Sequence, residues 1–246
     1  DFVGAVFEHG LTKIDQIFCK DYYGVSGACN EWLSHFHIKA KGVLYNSIDL
    51  DEVNNIQKKM DISYRDDYNI PKDATVVAFT GRLLKEKGLP SLLNVMDKIN
   101  KERDDVYLFI AGEGELQEEV NSRGNSHIIP VGRIDFEHIV ALLSESDIFC
   151  LPSFSEGFST SILEAAACGC YILTTARGGA KELLINDEYG CVILNNQEKL
   201  LYDALTEVIN HPDKRKKGIE LTYQRIKENF TWNIVANNVE KICEEK

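Results

Sequence analysis

From Ala74 onward, short apolar runs and amphipathic stretches alternate without interruption, and this rhythm constrains the fold more than any other feature of the chain. The apolar runs cover 75–79, 106–111, 127–131, 147–151, 171–174 and 190–194, each short enough for a buried strand. Between them lie stretches with helical spacing over 91–101, 116–121, 136–143, 159–168 and 180–184. Six strands separated by helices predict an α/β fold with a doubly wound parallel sheet. In such a sheet ligands bind beyond the carboxyl ends of the strands, where the strand-to-helix loops collect. The loops after these runs hold the unusual polar residues of the sequence.

The segments on either side do not complete a second sheet. Residues 12–19 predict a helix, 22–26 a strand, 28–36 a helix and 43–45 another strand, the last one or two βα units of a domain. Residues 50–73 are polar and charged and end at Pro71, a composition that suits a linker. Helices are predicted over 199–209, 214–228 and 233–244. The expected organisation is therefore a remnant over 1–49, a linker over 50–73, a ligand-binding domain over 74–229 and a C-terminal helix over 230–246.

Composition removes several classes. A net charge of −12 argues against a nucleic-acid partner, which calls for a basic surplus or stripe. No apolar run reaches the length of a membrane span. The seven cysteines are odd in number and sit mostly in apolar surroundings, which suits reduced thiols in the cytoplasm. Cys168-Gly169-Cys170 has no second Cys or His pair at ligand spacing, so no metal site is expected.

The loop at 152–164 is the richest. Pro152 and Ser153 break the strand, Gly157 permits a tight turn, and Ser159, Thr160 and Ser161 are candidate N-caps for the following helix. A strand, a turn and an open helix N-terminus bind anions through free N–H groups. Glu156 lies before that helix and Glu164 inside it, among Ile162, Leu163, Ala165 and Ala166. After the first strand, Gly81, Arg82 and Lys87 bring two cations to the same end of the sheet, a planar fork and a point charge suited to phosphates. The plainer reading there is a solvated basic loop paired with Glu86. Gly112-Glu113-Gly114 lacks the third glycine and the acidic ribose ligand of a dinucleotide fingerprint, which disfavours a hydride-transfer cofactor. Backbone beside Gly132 and Arg133 could meet a flat base edge or form a plain turn. Arg177-Gly178-Gly179 opens another helix and is a candidate phosphate or sugar contact. Two cations, glycine turns, a helix start and two carboxylates match a nucleoside diphosphate sugar.

Gly81-Arg82, Lys87-Gly88, Ala111-Gly112-Glu113-Gly114, Gly132, Leu151-Pro152-Ser153, Glu156-Gly157-Phe158, Glu164-Ala165, Cys168-Gly169, Gly178-Gly179 and Glu182 together resemble the retaining glycosyltransferases of family 4. The resemblance runs from about Tyr23 to Trp232, and the seven-residue gap between Glu156 and Glu164 is its most specific element. It implies a GT-B fold, represented mainly by the Rossmann-like donor-binding C-terminal domain. It further implies that Arg82 and Lys87 hold the donor diphosphate, with backbone N–H groups near Phe158, Ser159 and Thr160. By the same resemblance Glu164 binds the ribose, Glu156 faces the transferred sugar and steadies an oxocarbenium-like transition state, and backbone at Arg133 reads the base. Gly81, Gly112 and Gly157 shape the donor site.

The reaction so implied retains the anomeric configuration and needs neither metal nor cofactor. The donor would be a UDP- or GDP-sugar and the acceptor a cell-surface glycan or glycolipid precursor. That acceptor would be bound by a domain outside this sequence, through which the enzyme could also sit peripherally on the inner face of a membrane. Such a truncated chain is expected to bind the donor and transfer little or nothing. Ser47 stands where the family has a glycine, Tyr171 where it has a proline, and Ser159-Thr160-Ser161 replaces a version richer in glycine and proline. The alternatives are a non-catalytic Rossmann-like nucleotide-binding regulatory module and an NAD(P)-dependent oxidoreductase.

Overall fold

The computed structural model describes residues 11–244. The first ten residues of the expected 1–49 segment and the last two of the 230–246 segment lie outside it. The chain runs α1 (11–18), β1 (Tyr23–Gly24), α2 (Gly27–Ser34), β2 (Gly42–Val43), α3 (Leu50–Lys59) and α4 (Tyr64–Asp67) before the large sheet begins. There follow β3 (Thr75–Thr80), α5 (Leu89–Glu102), β4 (Val106–Ala111), α6 (Gln117–Arg123), β5 (Ile128–Gly132) and α7 (Phe136–Ser144). The second half contains β6 (Ile148–Leu151), α8 (Thr160–Ala167), β7 (Tyr171–Thr175), α9 (Ala180–Leu183) and β8 (Cys191–Ile193). Three helices close the chain: α10 (Glu198–Asn210), α11 (Pro212–Asn229) and α12 (Trp232–Glu244).

The six strands β3 to β8 pair in parallel in the order β5-β4-β3-β6-β7-β8. Every residue of β3, β6 and β7 is buried, as expected for strands covered by helices on both faces. The covering helices bury apolar stripes. In α5, Leu89, Leu92, Leu93, Met96 and Ile99 recur at helical spacing and are buried, and Pro90 sits in the first turn, where its missing N–H costs nothing. The order of the strands reverses between β3 and β6, which open a crevice at their carboxyl ends.

The polar stretch 50–73 differs from the linker its composition suggests. It forms α3 and α4, and Val53, Tyr64 and Ile70 belong to the main core. Arg65 ties α4 to the sheet through Asp147 at 3.0 Å and through the carbonyls of Glu145 and Ala74. Lys58, Lys59, Asp66 and Asp67, charges that suggested a linker, occupy the solvent side of these helices. Residues 11–49 carry β1 and β2 as a separate two-stranded parallel sheet. Two of the family departures have simple accommodations. Ser47 is not among the positive-φ residues, so its turn does not require glycine. Tyr171 starts β7 fully buried, its ring packed where a side chain at Gly218 of α11 would otherwise reach.

Candidate functional site

The crevice between β3 and β6 holds two adjoining cavities. One, of about 290 Å³, is lined by Gly81, Arg82, Gly112, Arg133, Ile134, Ser161 and Glu164. The other, of about 320 Å³, is lined by Asn46, Arg82, Lys87, Glu156, Phe158, Ser159, Thr160 and Ser161. Thr80, Gly81, Arg82 and Ser161 border both, so the two form one bent site. Ten of the eleven residues expected at a donor site line it. Gly157 does not. Its carbonyl accepts from Gly179 N at 2.8 Å, so it braces the turn from behind.

Close backbone approach builds the first cavity. A Cβ on Gly112 would lie 1.8 Å from the Gly81 carbonyl oxygen, and Gly112 has φ 144°, so only glycine lets the loops after β3 and β4 meet. Gly112 N donates to Gly132 O at 2.8 Å, which adds the loop after β5. Arg133 pairs with Glu113 at 2.8 Å across the mouth, both side chains largely exposed. At the inner end, Glu164 has no hydrogen-bond or ion-pair partner for its carboxylate among the described residues. Burial, which disfavours the charged form, pushes its pKa above the ordinary value. The Thr80 hydroxyl, at the junction of the cavities, is buried and also without a partner among the described residues. Unsatisfied groups of this kind are rare in folded proteins and suit a ligand that brings hydroxyls.

The second cavity is charged. Lys87 Nζ lies 2.7 Å from Glu156 Oε1, and both side chains are mostly buried, at 18% and 11% exposure. Lys87 therefore takes Glu156, not Glu86, as its partner. Ser153 Oγ donates to the same Glu156 oxygen at 2.6 Å. Arg82 is exposed, and its guanidinium makes no ion pair or hydrogen bond among the described residues. Ser159 occupies the N-cap position of α8, but its side chain makes no capping bond. With no side-chain cap, the first N–H groups of α8 have no intrahelical acceptor and face the cavity that Lys87 and Arg82 line.

Residues 11–49 complete the wall. Asn46 Nδ2 donates to Phe158 O at 2.7 Å, next to the start of α8. The Phe158 ring stacks on Phe230 and leans on Tyr45, which leaves its backbone to the cavity. Asp49 is the N-cap of α3, accepting from Glu52 N at 2.9 Å. Glu182 accepts from Gly27 N at 2.8 Å and so anchors α2 to α9. Asn46, Thr80, Ser153 and Ser161 were not among the expected site residues. The apolar neighbours of Thr80 mark it as strand, and Ser153 reads as a strand terminator, so neither carries a signal of its own. Among the described residues no three His, Cys, Asp or Glu side chains are grouped to hold a metal ion. None of their helices is long and apolar enough to cross a membrane.

The fold is that of the GT-B glycosyltransferases. The family model for glycosyl transferases group 1 matches residues 61–225, and the chain belongs to that family. An uncharacterised glycosyltransferase of Methanocaldococcus jannaschii is 26% identical over 208 residues, covering 82% of this chain and 52% of that protein. The glycogen synthase of Mycobacterium tuberculosis is 30% identical over 163 residues, 64% of this chain and 39% of the enzyme. The chain thus spans about half the length of these relatives, or less. Among solved structures, Anabaena HepE in complex with UDP-glucose superposes with a TM-score of 0.77 at 18% identity, covering 91% of this chain and 63% of that one.

Proposed function

We propose that this chain forms the donor site of a retaining glycosyltransferase that transfers a sugar from a nucleoside diphosphate sugar to an acceptor hydroxyl without a metal ion. The observation that carries the reading is the pair of joined cavities at the switch point, one ending on the partnerless Glu164 and the other lined by Arg82, Lys87 and Glu156. The nucleoside occupies the first cavity, with Glu164 accepting from the ribose hydroxyls and backbone at Gly132 and Arg133 facing the base. The diphosphate lies at the shared wall, against Arg82, Lys87 and the N-terminus of α8. The transferred sugar lies in the second cavity beside Glu156. The HepE structure holds UDP-glucose, and glycogen synthase is named for a glucan product, which supports a nucleotide sugar as donor and a glycan as acceptor. A glycolipid precursor at the inner face of a membrane is the other acceptor consistent with the family, and the free thiols suit the cytoplasm.

In the reaction the bond between C1 and the phosphate oxygen breaks, and its electron pair leaves with the diphosphate. The acceptor oxygen bonds to C1 from the same face, and its proton passes to the departing phosphate oxygen. Arg82, Lys87 and the helix N-terminus are aimed at charge that grows on the leaving group, and the Glu156 carboxylate is placed to steady positive charge at C1.

Thermal melting with UDP, GDP, ADP and NAD tests the reading, because a ligand of the native state raises the melting temperature. A nucleoside diphosphate is expected to raise it and NAD is not; stabilisation by NAD alone would overturn the proposal. Glu164→Ala is expected to weaken binding of nucleoside diphosphate and nucleotide sugar alike, by roughly tenfold or more for lost bonds to a charged acceptor. Equal losses of both ligands in Glu156→Ala would contradict the role given to Glu156.

A further inference from the structure

Resting on that donor reading, we infer that Ser153 is a positioning residue that fixes Glu156 for the sugar of the donor. Both hydrogen bonds to the Glu156 carboxylate fall on Oε1, from Ser153 Oγ at 2.6 Å and Lys87 Nζ at 2.7 Å. Oε2 has no partner among the described residues, and Glu156 lines the second cavity. The carboxylate is thus held by one oxygen and offers the other to a hydroxyl donor.

The two partners of Oε1 are not equivalent. Lys87 also lines the cavity beside the place assigned to the diphosphate, so an arriving dianion competes with Glu156 for its ammonium group. Ser153 has no competing partner. It is fully buried, and its backbone carbonyl accepts from the Thr175 hydroxyl of β7, while the preceding residue, Thr174, donates to Leu151 O at 2.8 Å. These bonds set the end of β6 against β7 and leave the Ser153 hydroxyl a fixed donor. When Lys87 turns to phosphate, Ser153 keeps Glu156 from swinging with it. A hydroxyl in a neutral, rigid position does this without adding charge to the diphosphate site.

The inference separates two ligands that share a nucleotide. UDP, GDP and ADP, and then UDP-glucose, GDP-mannose and ADP-glucose, are titrated into the full chain by calorimetry, and the pair that binds tightest is carried to the variants. Ser153→Ala is expected to leave nucleoside diphosphate affinity within about twofold and to weaken the sugar-bearing partner about tenfold, the size of one charge-assisted hydrogen bond. Ser153→Thr, which keeps the hydroxyl, is expected to restore most of that loss. Equal losses for both ligands in Ser153→Ala would assign Ser153 to structure alone and overturn the inference, as would no loss for either. If no pair binds the unaltered chain, the donor reading fails and the inference falls with it. Ser153→Ala carries the test unaided, because its nucleoside diphosphate affinity and melting temperature report whether the site is folded.

Discussion

Two carboxylates eight positions apart have opposite surroundings, and each predicts its own experiment. Glu156 is neutralised by Lys87 in a mostly buried pair, where screening by salt is weak. Replacing it by Gln removes a negative charge from an anion site and releases the ammonium group. Glu156→Gln is therefore expected to tighten nucleoside diphosphate binding by roughly three- to tenfold, about 1 kcal/mol, while weakening the nucleotide sugar relative to the diphosphate. Isothermal titration checks it, and weaker diphosphate binding would show that Lys87 does not reach phosphate. Glu164 has no such partner, and burial raises its pKa above the usual 4.5. The folded state then holds the proton more tightly than the unfolded state, so this group costs stability progressively as pH rises from the unfolded pKa through the raised folded value. Glu164→Gln does not titrate. Its melting temperature is expected to gain on the unaltered protein as pH rises above the usual 4.5, even as nucleoside binding falls. A constant difference across that rise would place the carboxylate in water. The sequence displays both acids and their spacing, but not that Lys87 and Ser153 share one oxygen of Glu156, because that contact joins loops from β3 and β6.

At the level of elements, the site is a junction of loops, and the glycine after Lys87 controls how closely two of them meet. Gly88 has φ 74°, and a Cβ there would stand 2.0 Å from the Pro152 carbonyl oxygen. Gly88→Ala meets both a left-handed backbone and a clash with main chain, which has no flexible end to yield. The expected cost is about 2–4 kcal/mol of stability, read by chemical denaturation, with the loops after β3 and β6 forced apart. Donor binding should fall in the same variant even at temperatures where it remains folded, since Lys87 is the preceding residue. Retention of full affinity would mean that the spacing of these loops does not matter. The elements of the large sheet were legible from Ala74 onward because buried parallel strands are continuous apolar runs and their helices have a different period. The stretch 50–73 was not legible in the same way. In α3 only Val53 is buried, so a single apolar residue at the core is masked by charges on the exposed turns. The absence of a side-chain cap at Ser159 was equally hidden, since a serine before a helix predicts the opposite.

Across the whole molecule, the crevice is closed on one side by residues that precede the large sheet. Asn46 bonds Phe158 O beside the start of α8. Ile48 N donates to Phe230 O at 3.0 Å and pairs with Thr231, joining the same segment to the entry of α12. Phe158, Tyr45 and Phe230 form one aromatic cluster between these contacts. A ligand that orders the start of α8 therefore acts on a loop whose backbone is hydrogen-bonded to residues 45–49, and the two should be stabilised together. Hydrogen exchange with saturating nucleoside diphosphate tests this, because protection reports local opening. Protection is expected to rise in 156–164 and also in 45–49 and 230–232, with little change in α6 or α10, which stand away from the crevice. In Asn46→Ala the rise at 156–164 should persist, because the nucleotide contacts there do not involve Asn46, but the rise at 45–49 should fall by at least half. If 45–49 gains full protection in that variant, coupling runs through the aromatic cluster and not through the amide. If 45–49 never responds, the segment is a passive wall, and donor binding is confined to the large sheet and its loops.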